Sequence, residues 1–271
     1  PIMPKLTNYR ALPAPTPSGK TTTTIPAPAL WAVSSLNFHP DPLQSRVLDS
    51  AHRRVLVNCC RQWGKSTTAA LRALHHAYHH PHSETILIAP TQRQSAELLT
   101  KVYSLALRLP SLTLRADSTH RHSLRFPNRS RILALPGKRD NIRGFSRVSL
   151  LIIDEAAWVP DPLYFAVRPF LAAAPDASLL VLSTPNGDSG FFHHAWHSSQ
   201  SWLRISVPAT DCPRISPAFL NEERATLTRA VFDQEYMCSF LSHQRAVFPT
   251  ELLDEFFSRP HFLSSPYGDA K

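Results

Sequence analysis

No stretch of this sequence approaches the ~18 consecutive apolar residues of a membrane-spanning helix. No basic-then-apolar leader opens it either, so neither a membrane span nor secretion is expected. Cysteine is scarce: Cys59, Cys60, Cys212 and Cys238 are all there is, and no pair has C-x-x-C spacing. That pattern gives a zinc site no support and favours reduced thiols in a cytosolic setting over disulfides. Internal repeats are absent. Negative charge is also in short supply, with 20 acidic residues against 29 lysines and arginines, a formal charge of +9 and a pI near 9.8. Such an excess points to a polyanionic partner more than to a fold. The remaining composition, 271 residues of which 43% are hydrophobic, suits a globular α/β chain able to bury a sizeable core.

The most informative stretch is residues 59–66, Cys-Cys-Arg-Gln-Trp-Gly-Lys-Ser, which follow the apolar Val55-Leu56-Val57 and precede an Ala/Leu-rich helical pattern running toward Tyr78. Strand, loop and helix in that order make a phosphate-binding loop. Backbone N–H groups and a helix N-terminus face the anion, a lysine reaches the β- and γ-phosphates, and a hydroxyl ligates Mg²⁺. Gly64 then permits close backbone approach, Lys65 is the phosphate lysine and Ser66 the Mg²⁺ ligand. Cys59 stands where G-x-x-x-x-G-K-[ST] has its first glycine, and Arg61 lies inside the loop, beside the expected phosphates.

A nucleotide hydrolase also needs carboxylates at the C-terminal edge of a buried parallel strand. Ser149-Leu-Leu-Ile-Ile-Asp154-Glu155 supplies them, with Asp154 fitting the metal-shell acid and Glu155 the base that polarises water. A third apolar run, Ser178–Leu182, ends in Ser183-Thr184-Pro185-Asn186-Gly187, a small polar cluster in a fixed turn that suits phosphate sensing.

In this order the three motifs resemble the ATPase domain of the terminase large subunit, the DNA-packaging motor of tailed bacteriophages and herpes-type viruses. The resemblance runs from about Leu36 to Phe248. It includes Ala89-Pro90-Thr91-Gln92-Arg93-Gln94-Ser95, Asn128-Arg129-Ser130-Arg131-Ile132, Leu135-Pro136-Gly137, Asn141-Ile142-Arg143-Gly144-Phe145, Cys212–Ser216 and Phe232–Tyr236. It implies a P-loop NTPase of the additional-strand, catalytic-glutamate type. Such a fold is a mainly parallel sheet flanked by helices, with the Ser-Thr-Pro strand between the P-loop and Asp-Glu strands and a small helical lid.

The resemblance further implies ATP and Mg²⁺ as cofactors, with Gln44, Arg61, Gln62, Gly64, Lys65, Ser66 and Thr67 around the nucleotide and Ser66 with Asp154 on the metal. Gln44 would read the adenine edge, Glu155 activate water, Arg61 steady the γ-phosphate, and Ser183, Thr184 and Asn186 couple its loss to movement. Arg143, just ahead of the Asp-Glu strand, is the favoured trans-acting arginine, with Arg139 and Arg147 as the other candidates.

The implied partners are double-stranded DNA, a portal protein, a small terminase subunit and further copies in a ring. The implied setting is the bacterial host cytoplasm, transiently at the procapsid portal. A host helicase-like translocase and a non-hydrolysing DNA-binding prophage remnant are the rival readings. The absence of a second RecA-like domain speaks against the first, and an ATPase assay with and without DNA separates all three readings.

The expected organisation is a disordered Pro/Thr-rich arm over 1–35, an ATPase core over 36–210, a lid over 211–248, and a linker over 249–271 toward an RNase H-like nuclease domain not present in the chain. Expected elements are strands at Thr85–Ala89, Leu150–Ile153 and Leu179–Leu182, helices over Gln92–Leu109 and Leu163–Ala173, and a hairpin near Leu124–Leu135. After Phe248 the acids are Glu251, Asp254, Glu255 and Asp269, too few for a two-metal nuclease, so no DNA cleavage is expected.

Arg115, Arg121, Arg125, Arg129, Arg131, Lys138, Arg139, Arg143 and Arg147 face only Asp117 and Asp140 in one segment. That is either a solvated basic face or a grip on DNA phosphates. His75, His76, His79, His80 and His82 have the i,i+4 spacing of metal ligands, but with only Glu84 nearby they read instead as an exposed helix C-terminus that favours imidazolium. Phe191, Phe192 and Trp196 read as core packing rather than base stacking.

Overall fold

The computed structural model describes residues 24–241 except 111, 113, 117–121, 136–144, 146–147 and 175. Arg121, Lys138, Arg139, Arg143 and Arg147 of the basic segment, residues 1–23 of the expected arm and the whole 249–271 linker with its four acids therefore lie outside the described residues.

An eight-stranded sheet runs in the order β3-β4-β5-β2-β6-β7-β1-β8. Its strands are β1 Arg54–Cys59, β2 Glu84–Ile88, β3 Arg115–Ala116, β4 Ser123–Arg125, β5 Arg131–Ala134, β6 Val148–Ile153, β7 Ser178–Ser183 and β8 Leu203–Val207. All pairs from β5 through β8 are parallel, while β3/β4 and β4/β5 are antiparallel, the expected hairpin. β7 lies between β1 and β6, where the resemblance puts the Ser-Thr-Pro strand.

The central strands read as unbroken apolar runs because both of their faces are covered. Alternate residues go to opposite sides. Val55, Val57, Leu180, Leu182, Leu150 and Ile152 pack in one cluster, and Leu56, Leu179, Val181, Leu151 and Ile153 in the other.

The first cluster packs against helices α1 Pro28–Leu36, α2 Pro42–Leu48, α3 Lys65–His79 and α4 Gln92–Ala106. The second takes residues from α5 Asp161–Val167 and α6 Gly190–His197. Capping boxes start α2 (Asp41 with Gln44) and α4 (Thr91 with Gln94), each satisfying two orphan backbone donors.

Three expectations need correction. The arm does not extend to residue 35: α1 starts at Pro28 and buries Trp31 and Ala32 in the core, which the Pro/Ala/Thr composition hid. The expected helix Leu163–Ala173 is α5 followed by a 3-10 turn over Arg168–Ala173. Pro169 has no N–H to continue the α-helical ladder, and its ring would meet the carbonyl four residues back.

Two of the histidines, His75 and His76, also sit in packed surroundings, while His82 is exposed as expected. His75 is buried, edge-on to Trp31 with ring centroids 5.4 Å apart, and its Nε2 is 2.9 Å from the Pro26 carbonyl. His76 Nε2 lies 2.8 Å from Ser149 Oγ. Burial, with neighbouring histidines and Arg72 adding to it, pulls His76 down to about 3. Burial likewise brings His75 to about 4, against its bond to Pro26. These rings are neutral, not imidazolium. Phe191 and Phe192 are buried as expected, Phe191 stacked on Tyr164 with centroids 3.9 Å apart.

In the segment expected as a lid, the described residues form two short helices, α7 Pro217–Thr226 and α8 Arg229–Met237, capped by Ser216 and Thr228. α8 returns to the C-terminal edge of the sheet. There Asn58 Nδ2 donates to the Cys238 carbonyl at 2.8 Å, and Cys238 Sγ lies 3.2 Å from the Val207 carbonyl.

Candidate active site

β1 ends in Cys59 and the chain turns through residues 60–64 into α3, so the N-terminus of a fifteen-residue helix opens at the C-terminal edge of the sheet. Cys59, at the position of the missing first glycine, is fully buried, its Sγ 3.6 Å from the Ser183 carbonyl. The loop needs left-handed backbone twice, at Gln62 (φ 63°) and Gly64 (φ 93°). Gly64 suits this for a second reason: a Cβ there would stand 3.0 Å from Gln44 Nε2. Its carbonyl accepts from the Thr67 and Thr68 amides at 3.0 Å, starting the helix.

Three strand ends converge on Lys65. Its Nζ is 3.1 Å from Glu155 Oε1 at the end of β6 and 3.4 Å from Thr184 Oγ1 at the end of β7. Burial works against its charge, but Cys59, Glu155 and Asp154 outweigh that and hold its pKa above the ordinary lysine value.

Asp154 is buried, with its amide bonded to the Ile88 carbonyl at 2.9 Å. Burial raises its pKa, opposed by a hydrogen bond from Ser66. A buried carboxylate beside a hydroxyl is a donor set that fits Mg²⁺, whose charge would reverse the cost of burying Asp154. Among the described residues no group of three or more His, Cys, Asp or Glu is placed to hold a metal by itself. The fit is therefore to a cation shared with substrate phosphates. Glu155 sits at φ 52° at the start of a 3-10 turn over Ala156–Trp158, a left-handed conformation uncommon outside glycine and asparagine.

Ser183 Oγ accepts from the Ala157 amide at 3.0 Å and donates to the Thr184 carbonyl at 2.7 Å, tying the β7 turn to the segment after Glu155. Asn186 is half-buried in that turn, and the next amide, Gly187 N–H, donates to Gln234 Oε1 of α8 at 3.1 Å.

Two residues stand differently from what a sequence shows. Arg61 bonds Glu235 of α8 twice, Nε to the carboxylate and amide N–H to the carbonyl. The carboxylate bond above all holds the guanidinium charged. Gln44 is buried with both ends of its amide engaged, Oε1 accepting from the Asp41 amide at 3.1 Å and Nε2 donating to the Trp63 carbonyl at 3.3 Å.

Sequence reading passed over Arg214, Gln234 and Glu235. Arg214 pairs with Asp41 at 2.7 Å and bonds the Trp63 carbonyl. Their motifs, Cys212–Ser216 and Phe232–Tyr236, were visible, but only folding brings them to the loop.

Residues 57–255 match the family model described as terminase large subunit, T4likevirus-type, N-terminal. The chain is 26% identical over 250 residues to the large terminase subunit of Thermus virus P23-45, covering 79% of this chain and 51% of that protein. It is 25% identical over 249 residues to that of Thermus phage G20c, with the same coverage. The chain thus spans about half the length of these relatives.

Among solved structures, the ATPase domain of the Thermus phage P74-26 large terminase superposes with a TM-score of 0.68 at 23% identity, covering 79% of this chain and 99% of that one. The large terminase of another thermophilic bacteriophage, solved in complex with ADP, gives 0.61 at 10% identity, covering 79% of this chain and 53% of that one. The sheet order, the likeness to a solved terminase ATPase domain and a family match over most of the chain agree: this protein belongs to the terminase large-subunit family, and its fold is that of the N-terminal P-loop ATPase domain.

Proposed function

We propose that the chain is the ATP-hydrolysing motor domain of a terminase large subunit, coupling hydrolysis to the movement of double-stranded DNA into a procapsid. The observation that carries this reading is the meeting of three strand ends at Lys65, which touches both Glu155 and Thr184. An ammonium held between a base and a sensing hydroxyl is placed to bind phosphates and to report their arrival to both. Once phosphates take Lys65, Glu155 is released to hold a water and accept its proton. Ser66 and Asp154 would hold Mg²⁺, which when bound neutralises charge developing on the phosphate oxygens.

Arg61 reaches the γ-phosphate only by leaving Glu235, while Gln234 holds the Gly187 amide beyond Ser183, Thr184 and Asn186. Adjacent residues of one lid helix thus touch both phosphate-facing loops, which gives loss of phosphate a route to movement of the lid.

Membership of the terminase large-subunit family and the formal charge of +9 support the proposal that its partners are DNA, a portal protein, a small subunit and further copies of this chain in a ring, in the host cytoplasm and at the portal. Arg143 is the proposed arginine acting on a neighbouring copy's ATP. The domain division, a core that begins with α1 and runs to residue 210, a lid over 211–248 and a linker over 249–271, is proposed from the family resemblance together with the burial of Trp31 and Ala32.

ATP turnover with and without DNA tests the reading. DNA-stimulated hydrolysis abolished by Glu155→Gln supports it, and a folded wild-type chain with no turnover under either condition overturns it.

A further inference from the structure

The peptide joining Trp63 to Gly64 is held by its oxygen. Gln44 Nε2 donates to that oxygen at 3.3 Å, and Arg214 Nη2 donates to it as well. The same Arg214 nitrogen is 2.7 Å from Asp41 Oδ2. Asp41 in turn sets Gln44, its Oδ1 accepting the Gln44 amide at 2.7 Å and its own amide meeting Gln44 Oε1 at 3.1 Å. Both donors are therefore set by one residue, Asp41, through its carboxylate for Arg214 and its backbone amide for the Gln44 side chain, and that carboxylate is 7% exposed. Three segments distant in sequence meet there: the start of α2, the phosphate loop and the chain entering the lid.

In a trans peptide the C=O and the following N–H point to opposite sides of one plane, and no peptide bond described is cis. Fixing the Trp63 oxygen therefore fixes the direction of the Gly64 N–H. Without that restraint the plane turns easily, because one of the two torsions it needs belongs to glycine. A flipped plane would present an oxygen, not an N–H, to an anion.

We propose that Arg214 is a positioning residue for nucleotide binding, clamping the Trp63 carbonyl together with Gln44 so that the Gly64 N–H is aimed at phosphate. This rests on the reading of residues 59–66 as a phosphate loop.

The test is ADP binding by titration calorimetry on the whole chain, with melting temperatures recorded in parallel. Arg214→Gln loses about tenfold or more in ADP affinity, the worth of a charge-assisted hydrogen bond, and Arg214→Lys recovers part of it. Gln44→Ala and Arg214→Gln combine to lose less than the product of their separate losses, because releasing either donor frees the same peptide. Affinity within twofold of wild type in a folded Arg214→Gln, or losses that multiply, overturns the clamp. Should Arg214→Gln not fold, Asp41→Asn takes its place, since asparagine still caps α2 but no longer pairs with Arg214. ADP affinity within twofold of wild type there overturns the clamp equally. A wild-type chain that binds no ADP overturns the phosphate-loop reading and the clamp together.

Discussion

Lys65 Nζ and Glu155 Oε1 are 3.1 Å apart, an ion pair between the phosphate loop and the end of β6 in which each side chain occupies the other's functional group. The pair predicts different phenotypes for its two members. Glu155→Gln keeps nucleotide binding and loses turnover by about 10²–10⁴-fold, the worth of a positioned general base. Lys65→Ala weakens binding itself. Nucleotide titration beside steady-state hydrolysis separates them, and unchanged turnover in Glu155→Gln sinks the assignment.

On the proposed reading, Glu235, which holds Arg61 in this structure, competes with phosphate for it. Its replacement by Gln removes an ion pair whose arginine is 58% exposed, so stability changes by less than about 1 kcal/mol. The KM for ATP should fall severalfold, because Arg61 no longer has to be withdrawn from a carboxylate. A KM that rises or stays put shows that the lid contact assists binding.

Gly64→Ala places a Cβ 3.0 Å from Gln44 Nε2 at a φ of 93°. The left-handed backbone alone costs an L-residue roughly 1–2 kcal/mol. Nucleotide affinity should drop at least tenfold, with a lowered denaturation midpoint; wild-type affinity would show the loop to be more compliant than its contacts indicate.

Acid destabilises this fold through His75 and His76. Their folded pKa values, about 4 and about 3, lie below the ordinary value of about 6.5. Between those limits the unfolded chain binds more protons, so stability is full above pH ~6.5 and falls as pH drops toward 4, by on the order of 1–3 kcal/mol per ring. Urea midpoints at several pH values measure it. His76→Gln should flatten the slope, and an unchanged slope assigns the acid sensitivity elsewhere.

Arg143→Ala should leave nucleotide binding by the isolated chain intact and remove any rise in specific ATPase activity with protein concentration, since an arginine acting across an interface contributes ~10³–10⁵ in rate. Equal loss at every concentration would place the residue in its own subunit's site. The chain should leave supercoiled plasmid uncut in Mg²⁺ or Mn²⁺, and cleavage that disappears on Asp269→Ala would overturn that expectation.

The sheet was legible because buried parallel strands write themselves as short apolar runs: Val148–Ile153 and Ser178–Ser183 both begin and end within a residue or two of the expected bounds. That Lys65, Ser66, Asp154 and Glu155 come together at one edge of the sheet was legible for a related reason, since strand ends meet there in such folds. Contacts made by folding were not. Nothing local in Arg-Ile-Ser or Gln-Glu-Tyr says that Arg214 meets Trp63 or that Glu235 meets Arg61 across 174 residues. α1 was missed because Pro and Ala dominate its surroundings, and its burial is decided by Trp31 against α3. His75 and His76 differ from the expected imidazolium because helix position speaks of the dipole, while desolvation by neighbours overrides it.

All four cysteines of the chain are buried, and burial above all pushes Cys60 and Cys238 up to about 12. Thiol reagents attack the thiolate, so near neutral pH the native chain should be a poor target for maleimide dyes. A single cysteine placed at an open site such as Leu107, 64% exposed, would then be the one that labels. A second on the outer face of α7 would report distance changes between core and lid during turnover, with every native thiol left in place.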